Sequence, residues 1–391
     1  MPLAAGPRAV TARHMLPMTP GAGRVDDAAV IVRGRHVLAA GPRRQVLRGF
    51  AGPVEDFGDA VLVPGLLNAH VHLELSGLGG RSPRGAGFPA WAAWLSGQDL
   101  SPPAAGVLAT AARQMAATGT AGVIDVGSRA GPAVVGALAA EGLSGLVCHE
   151  TIGFRRRPGA DPPPDLPPAL EAAVRQTPGV RAAPSGHALY STSPDSLRRA
   201  REACRRLGAP FCLHLAETAG EVELLATGTG ELAALLLGRL LPRDYRPPGR
   251  SPVAEALSLG LLGPDALAVH AVWLSGADRR LLADTGTAVC LCPRSNRHIG
   301  VGTADAPALF AAGVPLCLGT DSLASNDDLD LWNEVRALLA DHPDFPGQAL
   351  LPALTTTPAR ILGRDRELGL LAPGAVGGYA VVPPDLAERL A

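Results

Sequence analysis

The stretch "LLNAHVHLE", Leu66 to Glu74, sets His70 and His72 one residue apart at the end of an apolar run. In a β-strand residues i and i+2 face the same way, about 7 Å apart along the chain, so two such imidazoles can converge on one ion. Taken alone, the pair serves equally well as ordinary polar residues at a strand end. Other apolar runs also stop on polar residues: Glu150, His187 in "SGHALYSTS", His214 and Glu217 in "LHLAET", His270 in "VHAVWL" and Asp321 in "LGTDSLASN". Each has a plain structural use by itself, a histidine as a hydrogen-bonder or an aspartate as a helix cap. Four of them, His70, His72, His214 and Asp321, carry the nitrogen and oxygen donors that suit zinc or ferrous iron. One divalent ion, zinc first and Fe2+ second, is the expected cofactor. Such an ion lowers the pKa of bound water from about 15.7 to near 7. Glu217, three residues past a donor histidine, is placed to take the water proton and pass it to a ring nitrogen.

Those residues need a scaffold that brings several strand ends together. Apolar, β-branched runs alternate with amphipathic stretches along most of the chain. The strand candidates are Val61–Leu67, Ala121–Val126, Ser144–His149, Gly179–Ala183, Pro210–His214, Ala266–His270, Thr287–Cys292 and Val314–Gly319. Helical spacing fills the gaps, as in Ala104–Ala117, Asp195–Leu207 and Ala277–Ala283. Eight strands alternating with helices predict an α/β fold, a (β/α)8 barrel of the TIM type, whose usual size is ~250 residues. Active sites of such barrels lie at the C-terminal strand ends, where the polar residues above fall. An open doubly wound sheet is the rival, but no G-x-G-x-x-G follows the first strand. Both chain ends read as short extended pieces, "AAVIVRGRHVLAAG" and "LGLLAPGAVGGYAVVPPD", which suggests a small sheet domain assembled from both termini. One proline-dense insertion, "RRRPGADPPPDLPP" from Arg155 to Pro168, follows the third strand.

Composition narrows the function. The 391 residues are 47% hydrophobic and 18% charged, with a formal net charge of −1. No general positive field exists to hold nucleic acid or an anionic membrane. No apolar run reaches the ~18 residues of a membrane span, and the N-terminus lacks the plan of a signal peptide, so a cytoplasmic location is the default expectation. The six cysteines do not suggest a disulfide framework, and Cys290 and Cys292 in "TAVCLCP" read as small buried residues. All 35 basic residues are arginine. The absence of lysine removes Schiff-base chemistry, the P-loop lysine and any metal bridge built from a lysine carbamate.

The motifs "PGLLNAHVHLE", "HLAET", "VHAVWL", "CPRSN" and "LGTDSLASN", in that order, resemble the amidohydrolase superfamily, and most of all its deaminase and chlorohydrolase branch with one metal. The resemblance spans roughly Val63 to Leu371. It implies a β-sandwich from residues 1–62 and 356–391 around a hydrolase barrel at 63–355. A departure stands at Gly378 and Tyr379, where the family commonly has an aspartate before the last strand. By the resemblance, His270 orients and polarises the water, while Asp321 binds the metal weakly and helps protonate the leaving ammonia. The activity implied is hydrolytic deamination of an amino-substituted heterocycle. "HLELS", "HALYSTS" and "CPRSN" are most similar to the 6-aminodeoxyfutalosine deaminases of menaquinone biosynthesis, with S-adenosylhomocysteine and methylthioadenosine deaminases close by. Guanine deamination, triazine chlorohydrolysis and a scaffold without catalysis are the competing readings. In that setting His187 resembles a substrate-contacting residue, and Arg294 serves equally well as a partner for a substrate carboxylate or as a salt-bridged surface arginine. Glu150 is the one rim residue able to replace a bridging lysine. Glu74 is expected behind the ligand histidines, and Trp91 and Trp94 serve equally well as a stacking wall or as loop packing. The partner implied is a small aminopurine-type molecule, with a homodimer favoured by the resemblance.

Overall fold

The computed structural model describes residues 6–154 and 165–390, so most of the proline-dense insertion lies outside the described residues. Fourteen strands follow one another: β1 Arg8–Met15, β2 Val25–Arg33, β3 His36–Pro42, β4 Val54–Asp56, β5 Val61–Pro64, β6 Leu66–Val71, β7 Thr120–Gly127, β8 Ser144–Thr151, β9 Val180–Gly186, β10 Phe211–Leu215, β11 Ala266–His270, β12 Ala288–Leu291, β13 Leu316–Leu318 and β14 Tyr379–Val381. β6 to β9 form one four-stranded parallel sheet and β10 to β13 another. Single parallel bridges, Val71 to Asp321 and Ala188 to His214, link the edges of the two sheets. The architecture is mixed α/β with parallel sheets. All eight residues of β7 and all five of β10 and of β11 are buried. Parallel strands covered on both faces show up in sequence as unbroken apolar runs, and these were the runs the sequence exposed.

Helices connect the strands, and their ends carry local signals. Helix Pro194–Leu207 starts with Ser193 accepting the Ser196 N–H and a proline in the first turn, and stops at Gly208 in the left-handed conformation. Its inner face holds Leu197, Ala200 and Cys204, together with Arg201, whose guanidinium is paired to Asp265 at 2.8 Å. Helix Gly276–Thr285 has a reciprocal cap between Ser275 and Asp278 and ends at Gly286, with φ 68°. All six cysteines are free and buried, Cys290 and Cys292 among them. Among the described residues no helix is long and apolar enough to cross a membrane.

The chain ends do come together. One six-stranded sheet runs in the order β14-β5-β1-β2-β3, with β4 also paired to β1. Its core includes Val10, Met15, Val30, Val32, Leu62 and Leu371. The segment expected as one strand, Val61–Leu67, divides at Gly65 into β5 of this sheet and β6 of the parallel set. A Cβ at Gly65 would lie 2.2 Å from the Gly377 carbonyl oxygen and 2.6 Å from Ala121 Cβ. Gly65→Ala is therefore expected to cost about 1–3 kcal/mol through overpacking. Urea unfolding measures this as a lower midpoint, and an unchanged midpoint would show that the junction yields freely. The C-terminal stretch read as extended contributes only β14 before turning into helix Pro384–Leu390.

Candidate active site

His70 lies within β6 and His72 just beyond it, at the start of the 3-10 turn Leu73–Leu78. His214 is in β10, which is paired to β11 and linked through Ala188 to the other sheet. The fold brings the three ring tips together. His214 Nε2 is 3.3 Å from His70 Nε2 and 3.4 Å from His72 Nε2. Asp321 Oδ1 is 3.7 Å from His70 Nε2 and 3.6 Å from His72 Nε2. Donors about 2.0–2.1 Å from a tetrahedral zinc stand about 3.3–3.4 Å from one another, so this spacing fits one ion.

Protonation points the same way. His214 Nδ1 donates to the His187 carbonyl oxygen at 2.9 Å, which leaves the Nε2 lone pair facing the cluster. Burial holds the His70 and His214 rings well below the usual imidazole pKa, and His72 below it as well. Neutral rings with converging lone pairs repel each other unless a cation lies between them. Burial pushes the Asp321 carboxyl upward, but the histidines around it and the Ser295 hydroxyl prevail and hold it at about 2. Its Oδ2 accepts from Ser295 at 2.5 Å and Ser325 at 2.9 Å, which turns Oδ1 toward the rings.

Beside this cluster, Glu217 Oε1 is 3.8 Å from His270 Nε2. Glu217 is 4% exposed, and burial pushes its carboxyl up to about 8. Its backbone N–H donates to Glu221 at 3.0 Å, and Thr218 caps the helix Ala219–Thr227 that follows. His270 Nδ1 donates to Asn296 Oδ1 at 3.0 Å, so Nε2 is free as an acceptor. Ala216, His270, Ala271 and Asp321 all take positive φ, an uncommon state outside glycine. Strained backbone of this kind persists where surrounding structure over-determines it, and here it clusters at the strand ends that carry the polar residues.

A cavity of about 160 Å³ opens over these groups. His187 and Glu150 line it as expected, the former with Nδ1 at 2.5 Å from Ser191 Oγ. Glu150 Oε1 is buried without a hydrogen-bond partner, 3.7 Å from His214 Nδ1, and burial raises its carboxyl to about 8. Phe88, Trp91, Leu95, Leu100 and Ile299 form an apolar wall. Two expectations are corrected here. Arg294 does not line this cavity, because its fork is held by Asp328 at 2.5 Å and Asp327 at 3.6 Å. Trp94 does not line it either; Trp91 does, its indole N–H anchored to the Ala324 carbonyl at 3.0 Å.

Glu74 also differs from expectation. Its carboxylate accepts the N–H groups of Ser128, Arg129 and Ala130 at 3.1, 2.8 and 3.0 Å, holding the loop after β7 and contacting no ligand histidine. The support behind the histidines comes from residues that went unnoticed in the sequence. Asn68 Oδ1 accepts the Thr320 N–H at 3.1 Å and Asp125 accepts the Leu73 N–H at 2.9 Å. Asn68 was open to detection as the residue two before His70 on the same strand, and Ser295 and Asn296 as members of "CPRSN".

Comparisons with known proteins place the chain in a family. The Amidohydrolase family matches residues 61–388. The 5-methylthioadenosine/S-adenosylhomocysteine deaminase of Nitratidesulfovibrio vulgaris strain Miyazaki F is 31% identical over 375 residues, covering 92% of this chain and 80% of that protein. The aminodeoxyfutalosine deaminase of Deinococcus radiodurans is 31% identical over 359 residues, covering 87% and 82%. Among solved structures, an adenosine deaminase from Xanthomonas campestris with bound zinc superposes with a TM-score of 0.75 at 26% identity, covering 97% of this chain and 85% of that one. The chain belongs to the amidohydrolase family and is a hydrolytic deaminase.

Proposed function

We propose that this enzyme removes the 6-amino group of an aminopurine nucleoside, with 6-aminodeoxyfutalosine as the preferred substrate and S-adenosylhomocysteine or methylthioadenosine as the second choice. The observation that carries the reading is the convergence of three imidazole nitrogens and Asp321 beside the Glu217–His270 pair, in a cavity with an aromatic wall. The eight parallel strands, bridged at both seams, support a closed barrel, and the single sheet built from the two termini supports a separate β domain. Helix Thr356–Ile361 packs on β6 and β13, which supports a C-terminal boundary just after it, close to the expected residue 356.

His70, His72, His214 and Asp321 would hold one divalent ion, and three imidazoles with a carboxylate favour zinc. When bound, that ion makes water acidic enough to yield a nucleophile at neutral pH. The rest is done by side chains. Phe88 and Trp91 seat the flat base. His270 Nε2 accepts a hydrogen bond from the attacking water and orients it. Glu217 takes one proton from that water and delivers it to the ring nitrogen adjoining the C–N carbon. As the tetrahedral carbon collapses, Asp321 moves the second proton to the amino group. The C–N bond breaks, ammonia leaves and a ring carbonyl remains.

A spectrophotometric deamination screen tests this with 6-aminodeoxyfutalosine, S-adenosylhomocysteine, methylthioadenosine, adenosine, guanine and cytosine. The expected result is the highest kcat/KM for 6-aminodeoxyfutalosine. Preference for guanine or cytosine would overturn the substrate choice.

A further inference from the structure

Arg84, Arg294 and Arg297 line one pocket, and all three are taken. Arg294 is held by Asp328, Arg84 by Asp327, and Arg297 by Asp341 at 2.6 Å. Arg129 is different. It lines the cavity over the histidine cluster and is exposed, and among the described residues no carboxylate forms an ion pair with its guanidinium.

Its backbone is nevertheless fixed. Three successive N–H groups, those of Ser128, Arg129 and Ala130, donate to the Glu74 carboxylate. The packing is tight enough that a Cβ on Gly127 would lie 2.7 Å from Glu74 Cδ. Glu74 thus engages the main chain of this loop and leaves the side chain of Arg129 free. The fixed backbone sets where the guanidinium can reach, and its fork matches a planar carboxylate with two parallel hydrogen bonds. A phosphate dianion fits less well, because the Glu74 carboxylate lines the same cavity. A planar monoanion is the better match.

We propose that Arg129 selects the far end of the substrate, binding a carboxylate carried on the 5′ substituent of the nucleoside. This rests on the deaminase reading above and adds to it a specificity-determining residue. It also replaces Arg294, whose fork the chain itself fills.

The test compares 5′-deoxy-5′-(3-carboxypropylthio)adenosine with 5′-methylthioadenosine, read as the ratio of their kcat/KM values. In the parent enzyme the ratio should exceed 10. In Arg129→Met it should fall about 10- to 100-fold, the range of a charge-assisted hydrogen bond, and the change should lie in KM for the carboxylate. Arg129→Lys should fall between the two, since it keeps the charge and loses the fork. A parent ratio near one, or an Arg129→Met ratio equal to the parent's, would overturn the assignment while both nucleosides are still deaminated. If neither nucleoside releases ammonia, the deaminase reading itself fails and the assignment falls with it.

Discussion

Glu217→Gln protein should keep its metal and its fold while its turnover drops by about 10³-fold or more. The carboxylate is not among the atoms that converge on the ion site, which are His70, His72 and His214 Nε2 with Asp321 Oδ1. The backbone bond from Glu217 to Glu221 does not depend on the side-chain charge. Glutamine has the same shape but cannot accept a proton, and general acid–base catalysis contributes typically 10²–10⁴-fold. Folding should not suffer, because glutamine keeps the volume and shape of the buried side chain. Elemental analysis, a thermal midpoint and an ammonia assay on one preparation check all three statements. Near-parental turnover would mean that another group moves the proton.

Metal removal is the second large effect. Dialysis against a chelator should abolish ammonia release, and one equivalent of zinc should restore it. The same treatment should lower the thermal midpoint. His70, His214 and Asp321 are buried and His72 is mostly so, with lone pairs held 3.3–3.4 Å apart. A ligand present at about 1,000 times its Kd stabilises the native state by about 4 kcal/mol, so the loss should be plain in a melt. A metal-free enzyme with full activity and an unshifted midpoint would contradict the site as drawn.

Much of this was legible before any coordinates. Parallel strands buried on both faces leave continuous apolar runs, so β7 to β13 were located within a few residues, and the histidines and carboxylates that end them were visible as interruptions. Gly65 was harder to read. The division of β5 from β6 follows from the Gly377 carbonyl, which arrives from the far end of the chain. The same holds for the supporting layer, where Asn68 meets Thr320 across 252 positions and Asn296 meets His270 across 26. Residue type showed that Arg294 could bind a carboxylate. Only the fold showed that the carboxylates it binds are its own neighbours, Asp328 and Asp327, and that Arg129, among the described residues, lines the cavity. Glu74 was misread for a related reason: its partners are main-chain N–H groups, which carry no mark in a sequence.

X-ray absorption at the zinc edge of the reconstituted enzyme measures the coordination directly. The predicted spectrum has a shell of nitrogen and oxygen at about 2.0–2.1 Å with the outer scattering of three imidazoles. A sulfur shell at about 2.3 Å, or a zinc ion without histidine scattering, would place the metal elsewhere and remove the basis for the chemistry assigned to Glu217, His270 and Asp321.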